Sequence, residues 1–464
     1  MGTTNYNFNK PTYGTRNWDI PLNENWDDVD ALIKEKSDEF NSMFINVKYP
    51  PIGYTPVKGD GITDDTTALK AIFMYAFTHK PCKIFFPKGT YLFTDLGNIA
   101  CSSLTIEGEN DSSTILKCIS DVADHTAILI NAFDPDLSST PYCQRFNIKN
   151  ITVEGNAKTK YGYNMQGLAR CTWENVFFRN GKSEDGIAFL MKGVQLCNFK
   201  SVMCSAHVTP MSSIPYYGLY LTNGVRNGVS IGSCCNNVFE SIYMEDTAIG
   251  YNLVSAETNV FISGSAESNT VAGMIVSGSC KGNVFITTCF ESVIASFDIE
   301  DSGINTTYIG CSCVYKMILK GRRIRLDGGW FNSVEIITGA TKNQLNNITY
   351  NYYGATGTIT DNGTGTQMNS VFDQRNNSYN YGLRGRNTLP VTSSPFIFTN
   401  EYGMYGEVVI QSGTLTSVTI TRNGLSFQVA NITPMQYLLA PTDIITVTYT
   451  GSNPSISWLP QNGL

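Results

Sequence analysis

Charge is what this chain has little of. Asp, Glu, Lys and Arg make up 15% of its 464 residues, well under the roughly one quarter of an average globular protein. Its polar surface must therefore come from Asn, Ser, Thr and Gly, the side chains that the many turns of an extended β architecture require. With a net charge of −7 and 3 histidines, no basic segment alternates with aromatics, so nucleic acid is not an expected partner. No run approaches the ~18 uninterrupted apolar residues of a membrane span, and no membrane insertion is expected. The start, MGTTNYNFNKPTYG, lacks the charged and apolar regions of a signal peptide. The 13 cysteines are odd in number and form no zinc-like pairs. In a chain folded in a reducing cytosol they read as free, buried, small apolar residues. Cys143, Cys171, Cys234 and Cys280 recur near one point of a repeat and suggest an interior stack. No GxSxG, HExxH or P-loop signature is present, and neither a cofactor nor a metal is expected.

What is there begins with KGDGITDDTTALKAIFMYAFTHKPCKIFFPKGTYLFT, from Lys58 to Thr94. Gly59 and Gly61 permit the positive φ angles of a tight turn. Thr63 or Asp64 is placed to cap a helix, with Asp64 and Asp65 where the helix dipole favours negative charge. Leu69, Ile72, Phe73 and Ala76 then recur at helical spacing, and Lys80-Pro81 ends the helix. Two short strands follow, at Lys83–Phe86 and Tyr91–Phe93. Such a helix, set before a series of strands, suggests a lid over an open sheet edge. Capping and turn geometry account for Asp60, Asp64 and Asp65 without a metal.

This segment resembles the entrance to the pectate-lyase-like right-handed β-helix, over about Pro50 to Leu116. The matching features are Gly59-Asp60-Gly61, Asp64-Asp65 and Ala68, then the Phe86-Pro87 and Gly89-Thr90-Tyr91 strand pair. The resemblance implies an all-β fold, a parallel β-helix of the kind found in polysaccharide lyases, rhamnogalacturonan-type hydrolases and many bacteriophage tail spikes.

From about residue 140 to 315 the chain repeats itself. Asn175-Val176-Phe177, Asn237-Val238-Phe239, Asn259-Val260-Phe261 and Asn283-Val284-Phe285 read as near copies. Asn150, Asn198 and Asn305 mark weaker ones, and steps from Asn150 are 25, 23, 39, 22, 24 and 22 residues. Such a period indicates a solenoid, and strands without long helices between them select a β-solenoid. Asparagines recurring at one coil position are placed to exchange amide hydrogen bonds along the axis. The 39-residue step holds HVTPMSSIPYYGLYLTNGVRNG, read as an insertion looping out of one coil. The face that each Val or Phe takes stays open at this point.

The expected organisation is a leader over 1–49, the β-helix over 50–340, a connecting region over 341–385 and a C-terminal β-module over 386–464. The leader contains a helix in which Trp26, Val29, Ile33, Phe40 and Phe44 fall near a 3-and-4 spacing. That pattern suits a short trimeric coiled coil or one helix docked on a body. Its wording resembles the start of tail proteins from phages of Gram-positive bacteria. In the last module, five strand candidates and Asn423-Gly424, a type I′ hairpin signal, predict a small β-sandwich. Its ending, APTDIITVTYTGSNPSISWLP, resembles terminal β-modules of phage tail proteins.

No triad can be assembled from His79, His125 and His207. The carboxylates are more informative. Glu245, Glu267 and Glu291 each lie eight residues after Asn237, Asn259 and Asn283, hence at one position of three coils. Strands about 4.8 Å apart put neighbouring carboxylates about 5 Å apart and alternate ones about 10 Å apart, bracketing the separations glycoside hydrolases use. With Asp246, which follows Glu245, they are the candidate catalytic residues; like charges this close would raise one pKa beside a base. The plainer reading is a set of solvent-facing glutamates that repeat because the unit repeats. Tyr216, Tyr217 and Tyr220 are candidate sugar-stacking residues, or ordinary packing.

Two functions are compatible with these readings. One is a virion tail spike or appendage protein made in the host cytoplasm. It would be a homotrimer held to tail or baseplate proteins through residues 1–49, adsorbing to a host cell-surface polysaccharide with depolymerase activity as an option. The alternative is a free bacterial polysaccharide lyase or glycoside hydrolase. A lyase is expected to pair clustered Lys and Arg with calcium-binding Asp. Here Lys320, Arg322, Arg323 and Arg325 cluster without assignable partners.

Overall fold

The computed structural model describes residues 19–132, 142–206, 212–226, 228–292, 297–350, 357–374, 378–380, 387–401 and 405–460. Each coil lays down short strands that pair in parallel with their counterparts one coil away, forming the right-handed parallel β-helix that the entrance motif and the repeat imply. Three ladders run along the axis. Sheet A includes Val238–Glu240, Val260–Ile262, Val284–Ile286, Thr307–Ile309, Arg325–Asp327 and Gln344–Asn346, ending at Gln367–Asn369. Sheet B includes Tyr243–Met244, Ser265–Asn269 and Cys289–Ser292. Sheet C includes Thr159–Gln166, Ile187–Lys192, Tyr217–Thr222, Ile249–Leu253 and Ala272–Val276.

One residue at each corner makes the sharp bend. Between sheets C and A, Asn236, Thr258, Asn305, Arg323 and Lys342 sit at φ of 55°, 53°, 58°, 57° and 57°, the left-handed region. The amide of each reaches the next coil, as from Thr258 to the Lys281 carbonyl (2.8 Å) and from Arg323 to that of Thr341 (2.9 Å). The following residue points inward. Asn237, Asn259 and Asn283 are fully buried, and the amide ladder expected from sequence is present. Asn237 Nδ2 donates to Asn259 Oδ1 (2.9 Å), and Asn259 Nδ2 donates to Asn283 Oδ1 (3.0 Å).

Inside sheet A an aromatic stack runs from Phe199 through Phe239, Phe261 and Phe285 to Tyr308, with centroid separations of 5.0, 4.5, 4.6 and 5.1 Å. Stacked rings add to the burial of large apolar surface. Val238, Val260 and Val284 alternate with these rings and point outward, half-buried.

The structure corrects the alignment of the repeat. Asn175 lies not at the C–A corner but at the corner between sheets A and B, with φ 53°, where its amide donates to Asn150 Oδ1 at 2.9 Å. There Val176 is buried and Phe177 half-exposed, the reverse of Val238 and Phe239. Asn198 pairs with Val238, one place off the ladder, and Asn305 is a corner residue whose neighbour Thr306 takes the inward position. The triplet recurs at two places in the coil, and its spacing alone does not distinguish them. The coils also continue past residue 340, through Gln344–Asn346, Gln367–Asn369 and Val371–Asp373, because the Asn- and Gly-rich segment supplies corner residues.

Helix α2 (Thr66–Thr78) buries Leu69, Ile72, Phe73 and Ala76 against the first coils. Asp64 Oδ1 accepts from the Thr66 amide (2.9 Å), whereas Asp65 turns away to accept from the Lys58 and Gly59 amides. Helix α1 (Asp19–Met43) precedes the first strand and leaves Trp26 and Ile33 each 63% exposed. Phe44 is not part of this helix; it begins strand Phe44–Asn46 and stacks on Phe85 at 5.7 Å. The Phe40 side chain lies outside the described residues.

The C-terminal module is a sandwich of two four-stranded antiparallel sheets around Val408, Val418, Ile445, Val447 and Trp458. Asn423 and Gly424 both have positive φ, 51° and 77°, in the expected hairpin. The strands Asn387–Leu389, Phe396–Thr399 and Met435–Leu439 complete the sheets; they were not among the strands expected.

Candidate functional site

Glu267 and Glu291 are register partners on adjacent strands of sheet B, one coil apart as the spacing predicts. Glu245 and Asp246 occupy the turn from sheet B to sheet C one coil earlier. Both Glu245 carboxylate oxygens are engaged: Ser205 Oγ donates to Oε2 at 2.9 Å, and Ser265 Oγ to Oε1. Asp246 Oδ2 accepts from the Ala206 amide at 2.8 Å, and the Asp246 amide donates to the Glu267 carbonyl at 2.9 Å. Glu245 and Asp246 therefore tie three coils together beside Ser205 and Ala206. Glu267 is half-buried and Glu291 exposed. Burial pushes the Cys289 thiol up to about 12, and the charges of Glu267 and Glu291 add to this. Cys289 is thus held as a thiol and not as a nucleophilic thiolate.

The tyrosines border the same turn on its sheet C side. Tyr217 begins a sheet C strand, and the Tyr216 carbonyl accepts from the Ile249 amide, three residues past Asp246. The rings of Tyr216, Tyr217 and Tyr220 pack edge to face, with centroids 4.7 and 5.2 Å apart, and all three side chains are half-buried. Burial raises the phenols of Tyr217 and Tyr220. The expected insertion is not one continuous excursion. Strand Tyr217–Thr222 belongs to the solenoid, and Gly224–Arg226 pairs with Val229–Gly232 in a separate antiparallel hairpin.

The described histidines have structural partners. His79 stacks on Tyr75 at 3.8 Å, and His125 bonds Thr159 Oγ1 and the Val122 carbonyl, both at 2.8 Å. His207 lies outside the described residues. Among the described residues no group of His, Cys, Asp and Glu is placed to hold a metal. No described helix is long and apolar enough to cross a membrane.

Asp298 and Asp301 are fully buried carboxylates that the sequence does not single out. Asp301 accepts from the Gly303 amide (2.6 Å) and the Tyr308 hydroxyl (2.9 Å), and burial raises its pKa to about 6. Asp298 accepts from the Ser292 and Tyr315 amides at 2.8 and 2.7 Å, and burial raises it as well. Both are sealed from solvent and tie loops, and no sequence repeat marks them. All four cysteines of the expected stack are buried and unpaired.

Residues 55–134 match the family model for rhamnogalacturonase A/epimerase, pectate-lyase-like. The coil geometry defines the class, a right-handed parallel β-helix, and its entrance is the pectate-lyase-like part. Among solved structures the chain is similar to ORF18 of Geobacillus virus E2, with 16% identity, TM-score 0.46 and coverage of 99% of this chain and 85% of that one. It is also similar to the Dettilon tailspike protein gp208, with 11% identity, TM-score 0.44 and coverage of 89% and 93%. A third similar structure is the tailspike gp49 of Acinetobacter baumannii bacteriophage Fri1, described as a capsular polysaccharide depolymerase, with 12% identity, TM-score 0.40 and coverage of 90% and 85%. No curated protein matches the chain.

Proposed function

We propose that this chain is a phage tail spike or tail appendage protein that adsorbs to a host cell-surface glycan as a parallel homotrimer. The observation that carries the reading is the order of parts along the chain. A helix with exposed Trp26 and Ile33 comes first, a long rigid solenoid second and an antiparallel sandwich last. Exposed apolar residues on a helix are suited to a seam with other copies, and the resemblance of residues 1–49 to phage tail leaders assigns that end to tail or baseplate proteins. The solenoid offers a glycan a straight surface many coils long. Tyr216, Tyr217 and Tyr220 are the sugar-stacking residues in this reading. Glu267 and Glu291 form the pair spaced for bond cleavage, with Glu245 and Asp246 shaping the corner beside them.

Purified chain is incubated with host cell-wall polysaccharide and released oligosaccharides are measured. Release that falls at least a hundredfold in Glu267→Gln and in Glu291→Gln, with cell binding kept, supports both adsorption and cleavage. Binding without release in the parent confines the function to adsorption. Failure of the parent to bind host cells or their wall polysaccharide overturns the reading.

A further inference from the structure

A groove of about 640 Å³ opens on the outer side of sheet A in the last coils, lined by residues including Asn305, Arg323, Arg325, Lys342, Gln344 and Gln367. Its chemistry is built in two rows. Asn305, Arg323 and Lys342 occupy successive C–A corners, each with left-handed φ. Thr307, Arg325, Gln344 and Gln367 are register partners in consecutive strands and form the second row. Adjacent coils lie about 4.8 Å apart, so Arg323 and Lys342 are like charges one strand spacing apart. Among the described residues neither has a recorded ion-pair partner, whereas Lys320 is paired with Glu300 at 2.7 Å and Arg325 with Asp327. Glu401, just past the sandwich strand Phe396–Thr399, also lines the groove.

Coil geometry does not demand these residues. The register position of Arg325 and Gln344 is held upstream by Val238, Val260 and Val284. The corner position of Arg323 and Lys342 is held upstream by Asn236, Thr258 and Gly282. In a chain of net charge −7, two arginines, a lysine and amides are gathered on a surface that is valine in the three coils of Val238, Val260 and Val284. Guanidinium forks and amide N–H groups match the oxygens of carboxylates and phosphates, and one rung per coil suits a polymer lying along the axis.

We propose that this groove binds the anionic groups, carboxylate or phosphate, of a repeating acidic glycan. The inference deepens the adsorption reading and rests on it. The test is affinity electrophoresis of the full chain in gels containing polygalacturonate, a polyglycerol-phosphate teichoic acid, or neutral dextran, with thermal melting to check folding. Retardation by one or both polyanions but not dextran is expected, weakening as salt rises. The Arg323→Ala/Lys342→Ala double variant is expected to lose at least tenfold in affinity, and Arg323→Lys to retain most of it. The two polyanion gels distinguish a carboxylate from a phosphate ligand. Equal retardation of parent and double variant, or equal retardation by dextran, overturns the proposal. So does a parent that binds neither polyanion; if that parent still binds host cells, the adsorption reading survives the loss of the groove.

Discussion

At the scale of single residues, the buried carboxylates make the sharpest claim. Asp301 titrates near 6 in the folded chain against an ordinary 3.8, with burial the main cause. A carboxyl whose folded pKa is raised binds its proton more tightly folded than unfolded, so its contribution to stability falls as pH rises from about 4 to 6. Two pKa units amount to at most about 3 kcal/mol. Asp301→Asn is therefore expected to flatten the pH dependence of unfolding between pH 4 and 6, measured by denaturant titration at each pH. A wild-type slope in the variant would remove Asp301 from the account. Residue chemistry also fixes the Glu245 carboxylate in place. The spacing of eight residues put it on one line with Glu267 and Glu291, but only the structure shows two serine hydroxyls occupying Glu245.

At the scale of the coil, the asparagine ladder and the aromatic stack are neighbouring rows with different physics. Asn259 accepts from the Asn237 backbone amide (3.1 Å) and Nδ2, and donates to the Cys234 carbonyl at 3.0 Å. Removing it strands buried donors, so Asn259→Ala is expected to cost about 2–4 kcal/mol. Phe261→Ala empties the stack and is expected to cost about 3–5 kcal/mol. Val260, between them in sequence but facing outward, is expected to lose no more than about 1 kcal/mol on truncation to Ala. Urea unfolding of the three variants checks the ranking, and a Val260→Ala cost equal to that of Phe261→Ala would contradict the assigned faces.

At the scale of the whole molecule, the exposed face of α1 is one part that the single chain does not satisfy. Trp26 and Ile33 remain in water unless other copies or a tail protein cover them. In the trimer reading, Ile33→Asp is expected to shift the light-scattering mass from three chains toward one, with the solenoid still folded by circular dichroism. A parent that scatters as a monomer at micromolar concentration sinks the seam. Deleting residues 1–43 is expected to leave binding to cells intact and to prevent incorporation into particles. Loss of cell binding instead would reverse the assignment of the two ends.

The entrance helix, the solenoid, the asparagine ladder and the Asn423-Gly424 hairpin were legible in the chain because each rests on local or periodic chemistry. A glycine turn, a helical apolar stripe, a period of 22 to 24 residues and a type I′ dipeptide all act within one coil or less. What the chain did not disclose is which way a repeated triplet faces. Val176 is buried and Val238 is not, because the left-handed corner residue falls at a different point of the coil, and one residue of slip exchanges inside for outside. The pairing of Asp301 with Tyr308 is likewise invisible in sequence spacing, as is the meeting of Arg323, Lys342 and Gln367 in one groove. Both depend on coils stacking in register, and only the tertiary structure sets which residues of successive turns become neighbours.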